Sequence, residues 1–313
     1  MRVAMIGLGD IARKAYLPVL GTRGDLTLSL MSRDSDKVRA IAADWRVAHA
    51  HTNLDDLLRD GLDAAFVHAA TAAHEELVTR LLTAGIPTYV DKPLADTADA
   101  AERLVNLAEA RAVSLMVGFN RRHAPAYAAL AAAPRDLVLM QKHRVDLADT
   151  PRTVVFDDFI HVVDTLRFLL PVPARDLRVD ARVVDGLLHH VVLTLVGGGG
   201  ASGDGASACT AIGTMNRVAG VNEEVLEVSG MDHHGQALRH RVVDMADIHI
   251  AEAGTHISTR RGDWTPVSDQ RGIHQAVEHF LAALRAGRTL SARDALETHR
   301  LCETVVRHIQ AAA

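Results

Sequence analysis

The sequence predicts an α/β protein in two parts. Residues 1–120 should build a domain on a parallel sheet. Residues 121–313 should build a second α/β domain on a large, mostly antiparallel open sheet, with last helices that can pack back on the first domain. Three observations predict this. Short apolar runs alternate with helix-period segments up to about residue 120, strand-like runs with few helices follow, and 313 residues exceed one domain of roughly 150.

In order, residues 2–6 read as a buried strand, 10–20 as a helix and 26–31 as a second strand. Val38, Ile41 and Trp45 then recur at helical spacing, giving one apolar stripe. Residues 64–67 are strand-like, 74–84 helical and stopped by Gly85, 86–90 strand-like, 97–111 helical and 113–117 strand-like. Such alternation implies a parallel sheet covered on both faces. Beyond residue 120 the strand candidates are 137–140, 182–184, 190–196, 208–215, 225–228 and 238–242, and VSGMDHHGQAL reads as a hairpin with a polar tip. One helix, about 158–170, enters this part, and two helices close the chain, the first with Ile273, Val277, Phe280 and Leu284 on one face. GGGGASGDGAS leads into a strand rather than a helix, so it reads as a loop between strands and not as a phosphate cradle.

The bulk numbers exclude several classes. Hydrophobic residues make up 48% and charged residues 23%, as in soluble globular proteins. With a net charge of −5 and arginine pairs that are isolated, nucleic acid is not an expected partner. Two cysteines, Cys209 and Cys302, suggest neither a disulfide framework nor a zinc site, and no histidine pairs with acids or cysteines at ligand spacing, so no metal is expected. No signal peptide and no apolar run near the roughly 20 residues of a membrane span are visible, so a cytoplasmic protein without membrane contact is expected.

Gly7-Leu8-Gly9-Asp10-Ile11-Ala12 is a G-x-G-x-x-A turn between strand and helix. The first glycine permits the turn, the second admits a pyrophosphate to the backbone, and the small sixth residue lets helix and strand pack. The free N–H groups of the helix start then face the phosphates. A bare tight turn is the alternative, but the β-α-β setting favours a dinucleotide. About 20 residues on, where an acid would hold the ribose 2′-hydroxyl of NAD, stand Ser32 and Arg33, which suit a 2′-phosphate. NADP is therefore favoured over NAD. Asp34 keeps NAD open if the register shifts, and Ser32–Asp36 can also be read as a helix cap.

In a doubly wound sheet the loops at the carboxyl ends of the strands line one crevice. The glycine turn, the loop 69–74 with Ala70 and His74, DKP with Asp91 and Lys92, and GFNR with Asn120 and Arg121 all hold such positions. A lysine there, stiffened by Pro93 and aimed by an expected cis bond before that proline, is an instrument rather than solvated decoration. For His74 a helix-start histidine packed on its neighbours serves equally well. Arg122 and His123 read as ordinary polar residues of a domain junction.

VVFDDFIHVVDTLRFLL carries Asp157, His161 and Asp164 at relative positions 0, 4 and 7, one face if helical. A carboxylate beside an imidazole suits a general acid/base near neutral pH. The alternatives are that Asp157 or Asp158 is an N-cap and that Asp164 pairs with Arg167.

Taken in order, GLGDIA, DKPLADT, GFNRR and DDFIHVVD resemble the glucose–fructose oxidoreductase/inositol dehydrogenase (Gfo/Idh/MocA) family over essentially the whole chain, nearest to its virulence-factor-like branch. The resemblance implies an amino-terminal Rossmann domain that binds the dinucleotide and a carboxyl-terminal domain whose open sheet joins copies into a dimer or tetramer. It implies the lysine of an E-K-P motif, here Lys92, and an acid and a histidine four apart, here Asp157 and His161. The chain departs from the pattern at Asp91 in place of that glutamate, at Phe159 in a D-x-G-x-H-x-x-D motif, and at Ala69–Ala70 in place of Thr-Pro. These departures bear on the substrate more than on the cofactor.

The chemistry implied is hydride transfer between nicotinamide and a secondary alcohol of a sugar, inositol or related polyol. His161 takes the hydroxyl proton, Lys92 stabilises charge on that oxygen, and Asp157 orients His161 or a second hydroxyl. Asn120 and Arg121 border nicotinamide and substrate, and Lys142 and Arg144, on one face of a strand, contact an acidic or polyhydroxylated substrate. Two alternatives are a bound-NAD enzyme that cleaves or epimerises glycosides and a non-enzymatic dinucleotide sensor.

Overall fold

A computed structural model describes residues 1–197 and 209–312. The expected loop GGGGASGDGAS lies almost wholly outside the described residues. The chain divides into two compact units: Met1–Phe119 with Ile273–Glu297, and Asn120–Gly272 with Thr298–Ala313.

The first unit is built on six parallel strands: β1 (Arg2–Ile6), β2 (Thr27–Met31), β3 (His49–His51), β4 (Ala64–Val67), β5 (Thr88–Val90) and β6 (Leu115–Val117). Their order is β3-β2-β1-β4-β5-β6, so the chain steps outward one way from β1 and then returns to leave on the other side. β1 and β4 flank the reversal, and in such sheets the carboxyl ends there form a ligand crevice. Apart from the exposed edge strand β3, the strands are largely buried apolar runs, as sheets covered on both faces require. Caps set the helix starts: the Thr97 side chain accepts from Ala100 N ahead of Ala98–Ala110, and Asp34 accepts from Asp36 N and Lys37 N ahead of Ser35–Asp44. The helix Ile273–Arg285 belongs to this unit, since Phe280 meets Phe66 and Tyr89 edge-on at 5.4 and 5.8 Å between ring centres. β3 and the helix Leu54–Arg59 escape the periodicity argument because three and six residues are too few to show a period.

The second unit carries eight strands: β7 (Leu137–His143), β8 (Ala174–Val184), β9 (Leu187–Gly197), β10 (Thr210–Asn216), β11 (Glu223–Met231), β12 (Ala237–Val243), β13 (Asp247–Glu252) and β14 (Thr255–Arg260). Their order is β14-β13-β12-β11-β7-β10-β9-β8, antiparallel except for the β7–β10 pair. The hairpin expected at VSGMDHHGQAL joins β11 to β12. β8 is much longer than the expected 182–184, and β13 and β14 have no counterpart in the sequence reading. Their residues are polar and half or fully exposed, so no buried face marks them. A π-helical turn, Val155–Phe159, leads into the helix Ile160–Leu169, which lies directly on β10. A side chain at Gly213 would come within 2.4 Å of Val162, so glycine there admits the helix. Among the described residues no helix is long and apolar enough to cross a membrane.

Candidate active site

Gly7 holds the turn after β1. Its φ is +88°, and a Cβ there would stand 2.4 Å from Ala69 N, so only glycine lets the β1 and β4 loops approach this closely. A Cβ on Gly9 would meet nothing within 4 Å, so the backbone beside it is open to a ligand. Gly7, Leu8, Gly9, Ser32, Arg33 and Ala70 line one crevice of about 520 Å³, together with Lys37 and His68. Of the other expected cofactor contacts in this unit, Asp10, Ile11, His74, Asp91 and Lys92 do not line it. Asp10 turns to Lys14 and Arg13, which hold its carboxyl below the usual range. A pyrophosphate fits beside Gly9 at the crevice, and the cations of Arg33 and Lys37 stand at its β2 end.

His74, expected at the cofactor or as a packed helix-start residue, begins a helix with its ring only 1% exposed. Its Nδ1 lies 2.9 Å from the Pro93 carbonyl oxygen and its Nε2 2.9 Å from the Ala69 carbonyl oxygen. Burial lowers its pKa despite those carbonyls, and the neutral ring donates to one of the two. The ring packs between the loop after β4 and the loop after β5. In that second loop the Lys92–Pro93 bond is cis, and Lys92 N donates to Asp91 Oδ1 at 2.9 Å. Lys92 is half-buried and has interactions of its own.

In the second unit Asp157, exposed, and His161, half-buried, lie on the π-turn and the helix that continues it. Neither Asp157 nor Asp158 is an N-cap. The helical run begins earlier, at Pro151, capped by Thr150. Asp164 is 1% exposed and accepts both guanidinium arms of Arg122, at 2.8 and 2.6 Å, and the Thr298 hydroxyl at 3.0 Å. Arg122, no idle junction residue, thus binds the acid on which Arg167 also acts electrostatically. Thr165 Oγ1 donates to the His161 carbonyl at 2.7 Å, tightening that turn.

The residues expected to touch substrate divide. Arg121 is buried and donates two bonds to Glu224, at 2.8 and 2.6 Å. Lys142, 1% exposed, sits 2.5 Å from Asp158 and 4.0 Å from Glu224. Arg144 and Arg217 also reach Asp158, and the Tyr127 hydroxyl donates to Glu224. The charged ends of Arg121, Lys142 and Arg144, expected at the substrate, thus face protein carboxylates, with Arg121 and Lys142 buried and Arg144 partly exposed. Burial, then the Arg121 cation, pulls the Lys142 pKa down to about 7. Burial opposes ionisation of Glu224, but Arg121, Lys142 and the Tyr127 hydroxyl together outweigh it and hold the acid at about 2. Asp158 is likewise held well below the carboxylate range, its cations outweighing burial. Asn120 donates its side-chain amide to the Arg271 carbonyl at 2.7 Å.

These features meet known proteins as follows. A crystal structure of a Gfo/Idh/MocA family oxidoreductase from Vibrio cholerae is 32% identical, covers 100% of this chain and 99% of its own, and superposes with a TM-score of 0.86. The chain belongs to the Gfo/Idh/MocA family. The family model described as an oxidoreductase family with an NAD-binding Rossmann fold matches residues 1–119, the strands of the first unit. The YceM protein of Salmonella typhimurium is 42% identical over 184 residues, 56% of this chain and 58% of that protein. Inositol 2-dehydrogenase of Paracoccus denitrificans is 38% identical over 184 residues, 54% of each chain. The matches thus span little more than half the length of these curated relatives.

Within this Gfo/Idh/MocA chain three side chains escaped the sequence reading. His68 ends a buried apolar run and so looked like strand filler. Asp158 stood in the shadow of Asp157. Glu224 opens β11 some 80 residues beyond Lys142, and only the pairing of β7 with β11 brings them together.

Proposed function

We propose that this chain is an NAD(P)-dependent oxidoreductase that transfers hydride between nicotinamide and a secondary alcohol of a sugar, inositol or related polyol. The observation that carries the reading is the crevice at β1 and β4, opened by Gly7 and Gly9 and flanked by Ser32, Arg33 and Lys37. Bound there, the cofactor supplies a hydride acceptor or donor. Arg33 and Lys37 favour a dinucleotide with a 2′-phosphate, hence NADP, since the Asp34 carboxylate is engaged in capping. In oxidation the alcohol C–H pair leaves as hydride and the O–H proton goes to His161, which leaves a ketone. Lys92 donates a hydrogen bond to the oxygen as negative charge grows on it. Asp157 orients the imidazole or a second hydroxyl. The name of the Paracoccus relative supports a polyol. Exposed Leu177, Leu187 and Ile257 on the outer strands suit a second copy of the chain. Fluorescence titration with NAD⁺, NADH, NADP⁺ and NADPH, followed by a polyol and sugar screen with the tightest binder, tests the reading. A firm preference for the NAD pair would overturn the NADP assignment. Absence of any dinucleotide binding would overturn the whole.

A further inference from the structure

Among the described residues four buried side-chain atoms lack a hydrogen-bond partner, and two of them are the ring nitrogens of His68. This imidazole follows β4 at the sheet's reversal point, its side chain exposes nothing, and it lines the same crevice as Gly7 and Ser32. A buried polar group without a partner is costly, and an apolar residue would fill the site at no such cost. The ring is also held. Tyr16 packs on it at 4.0 Å between centres, Phe66 stacks at 6.4 Å, and Tyr16 is fixed by its hydroxyl, 3.0 Å from that of Tyr89.

We propose that His68 binds the nicotinamide-riboside half of the dinucleotide, accepting a hydrogen bond from a hydroxyl or amide there. The proposal rests on the dinucleotide reading above and deepens it. Topology selects the half. In a doubly wound sheet the two nucleotides lie on either side of the glycine turn. Ser32 and Arg33 follow β2 and take the adenosine side, which leaves the β4 side for the second nucleotide. Electrostatics selects the ring's role. Asp91 Oδ2 lies 3.8 Å from His68 Nδ1, and the other carboxylate oxygen, Oδ1, accepts from Lys92 N at 2.9 Å. At that distance the carboxylate makes no hydrogen bond, but its field favours the N–H on Nδ1, leaving the Nε2 lone pair to accept. The ligand group must therefore be a donor, as a ribose hydroxyl or a carboxamide NH₂ is. Asp91, set beside Lys92, thereby links the cofactor side of the loop to the lysine.

His68→Phe keeps an aromatic ring for the stacking, one ring atom larger, and removes the nitrogens. Full NADPH should bind about 3- to 10-fold more weakly to this variant, the range one neutral hydrogen bond gives. The adenylate fragment 2′,5′-ADP should bind within about two-fold of wild type, and His68→Gln should recover part of the NADPH loss. Unchanged NADPH affinity, or a parallel loss of both ligands, overturns the assignment. If His68→Phe does not fold, the ¹⁵N shifts of the wild-type imidazole decide. They should move on adding NADPH and stay fixed with 2′,5′-ADP, and no movement with NADPH overturns it. Wild type binding 2′,5′-ADP and NADPH with one affinity also overturns it, whereas binding neither defeats the dinucleotide reading itself.

Discussion

His68 in the first unit has two buried ring nitrogens and no hydrogen bond, while Glu224 in the second meets Arg121, Lys142 and Tyr127 at once. Both sites are polar, buried and walled by aromatic or aliphatic side chains, yet their hydrogen-bond accounts are opposite. Around Glu224 and Asp158 the charges meet protein groups, Arg121 and Lys142 buried and Arg144 partly exposed. At His68 two buried ring nitrogens meet none, and such a group calls for a water, an ion or a ligand. Residue type alone does not separate the two. Arg121 and Lys142 look like substrate contacts in the sequence and are buried against carboxylates, whereas His68 looks like core and lines the crevice.

The largest effect should come from opening the cluster around Glu224. Glu224→Ala leaves Arg121 buried without its acid, while Lys142 keeps Asp158, and should cost about 3–5 kcal/mol, read as a lowered urea midpoint at unchanged slope. A loss under about 1 kcal/mol would mean that the cluster is solvated and the contrast with His68 false. The same acid carries a pH signature. Its folded pKa is depressed from 4.5 to about 2, so the unfolded chain binds the more protons between those values. The stabilisation is complete above about pH 4.5 and is lost as pH falls toward 2. The shift is worth about 3 kcal/mol over that window. Wild type should therefore lose stability on acidification faster than Glu224→Gln. Parallel curves would break the assignment.

Next in size are the residues proposed to act on substrate. Lys92→Ala and His161→Ala should each lower kcat by roughly 10²-fold or more while leaving NADPH affinity near wild type. If both act on one oxygen, the double variant should fall little further than the worse single one, since groups working as a unit are far from additive. Losses that multiply would assign them to separate tasks.

Much of this was legible in advance, for identifiable reasons. The strands of the first unit other than β3 are largely buried apolar runs, and the glycine turn fixes where they begin, so pattern and one motif suffice for them. The cis Lys92–Pro93 bond followed from the proline itself. β14 was invisible because its residues are exposed on both faces, and β13 because it is short, only half-buried and carries its alternation in just two isoleucines, Ile248 and Ile250. Asp157, His161 and Asp164 share one helical run, but the partner of Asp164 is Arg122, 42 residues earlier, and no local spacing encodes a partner so distant. His74 packs as a helix-start histidine does, with each ring nitrogen 2.9 Å from a backbone carbonyl oxygen.

A smaller effect tests the crevice from its β2 end. Arg33→Ala should weaken NADPH about tenfold and NADH hardly at all, because only the 2′-phosphate needs the guanidinium. Equal losses would remove the basis for favouring NADP.

The smallest effect separates two uses of one carboxylate. Asp34 lines the crevice, yet its Oδ1 accepts from Asp36 N at 3.1 Å and from Lys37 N at 3.0 Å, as an N-cap does. If capping is its task, Asp34→Ala should cost about 1 kcal/mol of stability, and Asp34→Ser should recover most of it. NADH affinity should hold within about two-fold in both, and NADPH should bind no worse, since a negative charge leaves the neighbourhood of Arg33. A carboxylate that held a ribose hydroxyl would behave the other way: NADH binding would collapse in both variants while the unfolding midpoint followed the cap alone. Affinity and stability, measured on the same two proteins, thus tell a cap from a cofactor ligand even though Asp34 stands where either belongs.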